Sequence, residues 1–221
     1  MTDPSDIVAI MLAAGLSRRF GAREKLLEPL MGMPIGMHGA KMLKSIDFKA
    51  HLAVCSSPEV AEIYRQCGFS IIANAAPELG QSNSLRLALA AAPGATGILV
   101  CLADMPFVSR AHILKLCGAL SPNLDGRGVA SQATGQPMPP ALFHAEALRA
   151  HTLEGDKGAR LLLRSAQPIE APAKELLDID TETDLAAARQ FHPAPAEADT
   201  TSGLSDLATR AIAPSTSDQA G

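Results

Sequence analysis

The sequence predicts an α/β protein in which a mostly parallel sheet is flanked by helices. Three features lead to that fold class. Short, unbroken apolar runs recur at Ile7–Leu12, Leu52–Cys55, Ser70–Ala73 and Ile98–Ala103, each the length of a buried strand. Segments with helical spacing lie between them, near Pro34–Ser45, Pro58–Gln66 and Ser82–Ala92. The connections are short, so successive strands are expected to cross over with a right hand and to lie parallel.

In chain order, the first run stops at Ala13-Ala14-Gly15, where small residues let a buried strand emerge into a loop. In the segment Ser82–Ala92, Leu85, Leu89 and Ala92 repeat at helical spacing. Beyond Phe107 the pattern is less regular. A helix is expected near Arg110–Ala119, strands around Gly128–Gln132 and Pro140–Phe143, and helices near Ala145–Leu153 and Ala159–Ser165. A last strand is expected at Glu175–Ile179, leading into a helix from Thr181. Residues 1–191 are read as one domain. Residues 192–221 are mostly Pro, Ala, Ser, Thr, Asp and Gly, too poor in apolar surface to offset the entropy of ordering, and are expected to form a disordered tail.

Composition narrows the function. The chain has 221 residues, 47% of them hydrophobic, which is enough for a sizeable core. Its 19 Lys+Arg against 23 Asp+Glu leave a formal charge of −4, so there is no broad cationic footprint for duplex DNA or an anionic membrane. Aromatics are 3%, with no Trp and the single Tyr64, which argues against stacking platforms for single-stranded nucleic acid. Cys55, Cys67, Cys101 and Cys117 form no C-x-x-C pair, as expected of free thiols in a reducing compartment. No apolar run approaches the ~20 residues of a membrane span, and the acidic start lacks a cationic signal region. A cytoplasmic protein with neither nucleic-acid nor membrane partners is expected.

In open α/β sheets the ligand crevice lies beyond the carboxyl ends of the strands. Three such places carry chemistry. After the first run, Leu12-Ala13-Ala14-Gly15 brings backbone N–H groups close to a ligand, and Arg18, Arg19, Arg23 and Lys25 follow within a few residues. That grouping suits a triphosphate, with Arg as a fork and Lys as a point charge; the alternative is an ordinary solvated basic loop. Neither a Walker loop nor a dinucleotide fingerprint is present. Asp104, at the end of Ile98–Ala103, is placed to anchor Mg²⁺ or to cap the helix near Arg110. Asp180, on the same face as Asp178, is placed to bind the ion or to cap the helix Glu182–Arg189. Two carboxylates from separate strand ends, with a cationic loop, make a constellation for nucleotidyl transfer. An incoming phosphate is already anionic and needs little base catalysis, so the lack of an obvious Ser-His-Asp or Cys-His set fits.

In order, the chain contains Leu12-Ala-Ala-Gly-x-Ser-x-Arg19-x-Gly21…Lys25-Leu-Leu, Gly80-Gln-Ser-Asn-Ser84-Leu-Arg, Leu102-Ala-Asp104-Met-Pro, Gly155-Asp-x-Gly158-Ala-Arg160 and Asp178-Ile-Asp180-Thr. This set resembles the MobA-like nucleotidyltransferases, most closely the molybdenum cofactor cytidylyltransferase branch, over roughly residues 6 to 190. The resemblance implies the Rossmann-like nucleotide-diphospho-sugar transferase fold. It implies that Leu12, Ala13, Ala14 and Gly15 cradle base and phosphates, with Arg18 beside them, and that Arg19 and Lys25 contact the phosphates. Asp104 and Asp180 would hold Mg²⁺, Gly80, Gln81, Ser82 and Ser84 would line the base pocket, and Asp156 would shape the acceptor side unless it is only a helix-start turn. Ala14 goes with cytidine nucleotides in this family, where Gly goes with guanosine. The activity implied is transfer of CMP from CTP to molybdopterin-type cofactor with release of pyrophosphate, the product passing to a molybdenum hydroxylase. The alternatives are GTP or another NTP, another phosphate acceptor such as a sugar phosphate, and a non-catalytic nucleotide- or cofactor-binding chaperone. The chain departs from the pattern at Met138-Pro139-Pro140, where cytidylyltransferases often carry Gly-His-Pro in the part that meets the acceptor.

Overall fold

A computed structural model describes residues 2–15, 19–21, 23–92, 94–121, 128–150 and 162–191. Arg18, Asp156, the motif around it and the expected tail 192–221 lie outside them. Among the described residues a seven-stranded sheet runs in the order β5-β4-β1-β6-β8-β7-β9. The strands are β1 (Ile7–Ala13), β4 (Ala50–Cys55), β5 (Ser70–Ala73), β6 (Gly97–Leu102), β7 (Val129–Gln132), β8 (Pro137–His144) and β9 (Gln167–Glu170). β2 (Pro29–Leu30) and β3 (Met33–Pro34) form a separate small hairpin, turning through Met31 and Gly32 with positive φ at both.

β1 pairs in parallel with β4 and β6, β4 with β5, and β7 with β9; only β8 runs antiparallel to its neighbours. The expected mostly parallel sheet is what forms. Continuous apolar runs make the central strands because both faces are covered. On one face Leu85 and Ala88 of α3 (Gln81–Ala90) pack with Val8, Ile10, Val54, Ile98 and Val100. On the other, Gly39 of α1 (Ile35–Lys44) leaves just enough space for Met11, since a Cβ there would stand 3.0 Å from its methyl carbon. Helices α2 (Pro58–Gln66) and α4 (Arg110–Ala119) have the bounds that the spacing predicts, and α5 spans Ala145–Ala150. Each of α2 and α4 starts with a serine, Ser57 or Ser109, accepting a hydrogen bond from the third helical N–H. No described helix is long and apolar enough to cross a membrane, and all four cysteines are free thiols.

One expected strand is corrected. Glu175–Ile179 is not a strand; the ninth strand is Gln167–Glu170, on the sheet edge beside β7. That strand is hard to read locally because Ile169 is its one buried apolar residue. An edge position tolerates Pro168, which cannot donate to a ladder. Leu176 and Ile179 are buried as a strand's apolar residues would be, but the Ile179 N–H donates to the Asp104 carbonyl at 2.9 Å. This bond lays the segment beside the end of β6.

Candidate active site

The site is assembled where β1 and β6 end. Ala103 N–H donates to Leu12 C=O at 3.1 Å, so the chain leaving β6 follows β1 for one residue beyond the strand. Asp104 comes next. The bond from Ile179 to its carbonyl then carries the following segment past it and delivers Asp180. From the other side, Lys25 opens a 3₁₀ turn (Lys25–Leu27) anchored by the buried Leu26 and capped by Glu24.

Lys25, only 6% exposed, donates from Nζ to Asp104 Oδ2 at 2.7 Å and to Asp180 Oδ1 at 3.0 Å. Arg19 Nη1 stands 3.1 Å from Asp180 Oδ2. Burial alone would lower the Lys25 pKa, but the Asp104 and Asp180 carboxylates together outweigh it and hold the ammonium above its ordinary value. Asp104 Oδ1 is buried without a hydrogen-bond partner among the described residues. Asp178 stands nearby: desolvation, together with the charges of Asp180 and Asp104, raises its carboxyl above the ordinary range.

Both capping alternatives are resolved. Ser109, not Asp104, caps α4. Thr181, not Asp180, caps the final helix Glu182–Ala188, in a reciprocal box with Asp184. The Asp184 carboxylate accepts from the backbone N–H groups of Asp180 (3.1 Å) and Thr181 (2.7 Å), which leaves the Asp180 side chain free to face Lys25. Thr181→Ala is therefore expected to lower stability by about 1 kcal/mol, about 2–4 °C in Tm for a domain of this size, read by thermal unfolding.

The cationic loop divides. Lys25 and Arg19 meet the acid pair, whereas Arg23 turns away, bonding to Glu28 at 2.8 Å and Glu182 at 2.5 Å. It ties the loop to the final helix. Ala14 is 6% exposed at the end of β1, and Gly15 is open, with no heavy atom within 4 Å of where a Cβ would stand. Of the motif before and within α3, Gly80 takes a positive φ of 83° ahead of the helix. Gln81 is exposed and, with Leu12, Leu102 and Pro139, lines an apolar pocket reaching in to Leu85 and Phe143. Ser82 and Ser84 are buried instead. The Ser84 hydroxyl accepts from Asn74 Nδ2, and Asn83 Nδ2 donates to Asn74 Oδ1, each at 3.0 Å. The sequence reading missed Asn74 and Asn83, which clamp the loop ahead of Gly80. The available signal was two amides beside the glycine turn, a place where buried polar groups must find partners.

Residues 9–171 match the MobA-like NTP transferase domain. The chain belongs to this family. It is 32% identical over 194 residues to the purine catabolism protein PucB of Bacillus subtilis (strain 168), covering 79% of this chain and 92% of the relative. A solved nucleotidyl transferase from Methanothermobacter thermautotroptrophicus superposes with a TM-score of 0.70 at 22% identity, over 83% of this chain and 95% of that one. A solved protein of Mycobacterium sp. strain JC1 gives a TM-score of 0.67 at 26% identity, over 83% and 97%. The transferase has the nucleotide-diphospho-sugar transferase fold, and its function is of the nucleotidyltransferase type.

Proposed function

We propose that this transferase moves CMP from CTP to a molybdopterin-type molybdenum cofactor, with Mg²⁺, and releases pyrophosphate. The carrying observation is the meeting of Lys25 with Asp104 and Asp180 at the carboxyl ends of β1 and β6. The residues fit magnesium: the donors are hard carboxylate oxygens, and the buried, unpartnered Oδ1 of Asp104 is an acceptor in need of a cation. Asp104 and Asp180 would hold the ion, which supplies positive charge to phosphate oxygens. Lys25 and Arg19 take phosphate charge, and the open backbone at Gly15 admits close approach of the nucleotide. An acceptor phosphate oxygen attacking the α-phosphorus would displace pyrophosphate, and positioning and charge stabilisation would carry the rate. Ala14, in the Leu-Ala-Ala-Gly form that goes with cytidine nucleotides in the family, supports CTP over GTP. A molybdenum hydroxylase is the recipient of the product that the resemblance to the cytidylyltransferase branch implies.

A second acceptor class, another organic phosphate, is favoured by one observation: Pro139 of the divergent Met138-Pro139-Pro140 forms part of the apolar pocket wall. The test supplies purified protein with CTP, GTP or ATP, with cofactor or a sugar phosphate, and with Mg²⁺ or EDTA. Pyrophosphate release is expected with CTP, cofactor and Mg²⁺, about tenfold or more above GTP. Nucleotide binding without any release would establish a non-catalytic binder instead.

A further inference from the structure

We propose that Lys25 is a resident cation of the acid pair: its buried ammonium already bridges Asp104 and Asp180, so a lone divalent ion binds weakly and is admitted together with nucleotide phosphates. This rests on the nucleotidyltransferase reading above and adds an order of events to it.

Charge and geometry carry the inference. Asp180 has no free oxygen, since Oδ1 accepts from Lys25 at 3.0 Å and Oδ2 faces Arg19 at 3.1 Å. Asp104 shares Lys25 through Oδ2. Two carboxylates are thus matched by two cationic side chains, with Asp178 close by but solvent-exposed. A divalent ion that takes the free Asp104 Oδ1 and reaches Asp180 at the short oxygen distances of magnesium displaces the exposed Arg19 or Lys25, and in either case stands close to the buried ammonium, whose charge opposes it. Lys25 cannot relax into water at little cost, because its side chain is 8% exposed. Nucleotide phosphates remove the conflict. They bring negative charge that offsets both the ion and the Lys25 ammonium, so metal and nucleotide bind with positive coupling, and each strengthens the other by the same factor.

Mn²⁺ alone, followed by electron paramagnetic resonance, tests this on the full chain. Lys25→Met is expected to bind Mn²⁺ without nucleotide at least about tenfold more tightly than the wild type. Lys25→Met combined with Asp180→Asn should lose that gain. A Lys25→Met protein binding Mn²⁺ no more tightly than the wild type overturns the proposal. A second measurement needs no variant: in ¹³C-lysine spectra of the wild type, the Lys25 signal should hold with Mg²⁺ alone and move with Mg²⁺ plus CTP. Movement with Mg²⁺ alone overturns it. If no nucleotide binds at all, the nucleotidyltransferase reading fails, and the Mn²⁺ titrations, made without nucleotide, still decide on the resident cation.

Discussion

Asp104→Asn is expected to lower pyrophosphate release by about a thousandfold or more while the protein stays folded. The substitution keeps the volume and a carbonyl oxygen that can accept from Lys25, so the 2.7 Å contact survives as a weaker hydrogen bond. It removes the charge that a phosphate-bound cation requires, and it does so at the one acid among the described residues with a buried, unpartnered oxygen. Lys25 keeps Asp180 as its ionic partner, so the ammonium is not left buried without a counter-charge. The expected stability loss is therefore about 1–2 kcal/mol, well short of unfolding. Steady-state release and thermal unfolding of the same preparation separate the effects. Global loss of structure in Asp104→Asn would mark the aspartate as a structural group and remove the main support for the proposed chemistry.

Gly128→Ala is expected to be the most destabilising single methyl addition among the described glycines. A Cβ at Gly128 would stand 2.4 Å from the Leu142 carbonyl oxygen, 2.4 Å from Phe143 Cδ1 and 3.0 Å from Phe143 Cα. Two of these are backbone atoms of β8, which is hydrogen-bonded on both sides to β6 and β7. The Gly128 carbonyl is itself held, accepting from Gln167 N–H at 2.8 Å. Relief must shift the junction of three strands, at a cost of about 3 kcal/mol or more, or about 6–12 °C in Tm. Gly15→Ala is the comparison, since nothing lies within 4 Å of its Cβ position. Its effect on unfolding should stay within about 0.5 kcal/mol. Equal midpoints for the two variants in urea would contradict the close approach at Gly128.

Much of the fold was legible because its signals are local. Buried parallel strands read as unbroken apolar runs, and α2 and α4 announce their starts with Ser57 and Ser109. The edge strand Gln167–Glu170 was not legible, because an edge asks for one buried side chain and no apolar run. The site divides the same way. The carboxylates were visible as acids that end apolar stretches, and Lys25 as a cation after a small-residue turn. The roles of neighbouring residues were not visible: Arg23 and Lys25 are two positions apart, yet one clamps Glu28 and Glu182 while the other enters the acid pair. Ser82 and Ser84 resembled pocket lining and are buried, with Ser84 bonded to Asn74.

By itself, the order of residues determined a parallel α/β core, the emergence of a cationic turn and Asp104 at strand ends, and a second acid closing an apolar stretch, since periodicity and turn chemistry act over a few neighbouring positions. Only the tertiary structure decided that Asp180 is released from capping by Thr181 and that one buried ammonium joins Asp104 and Asp180. Those partners lie 79 and 155 positions from Lys25, and no local pattern specifies a contact that forms only once separate strands have paired.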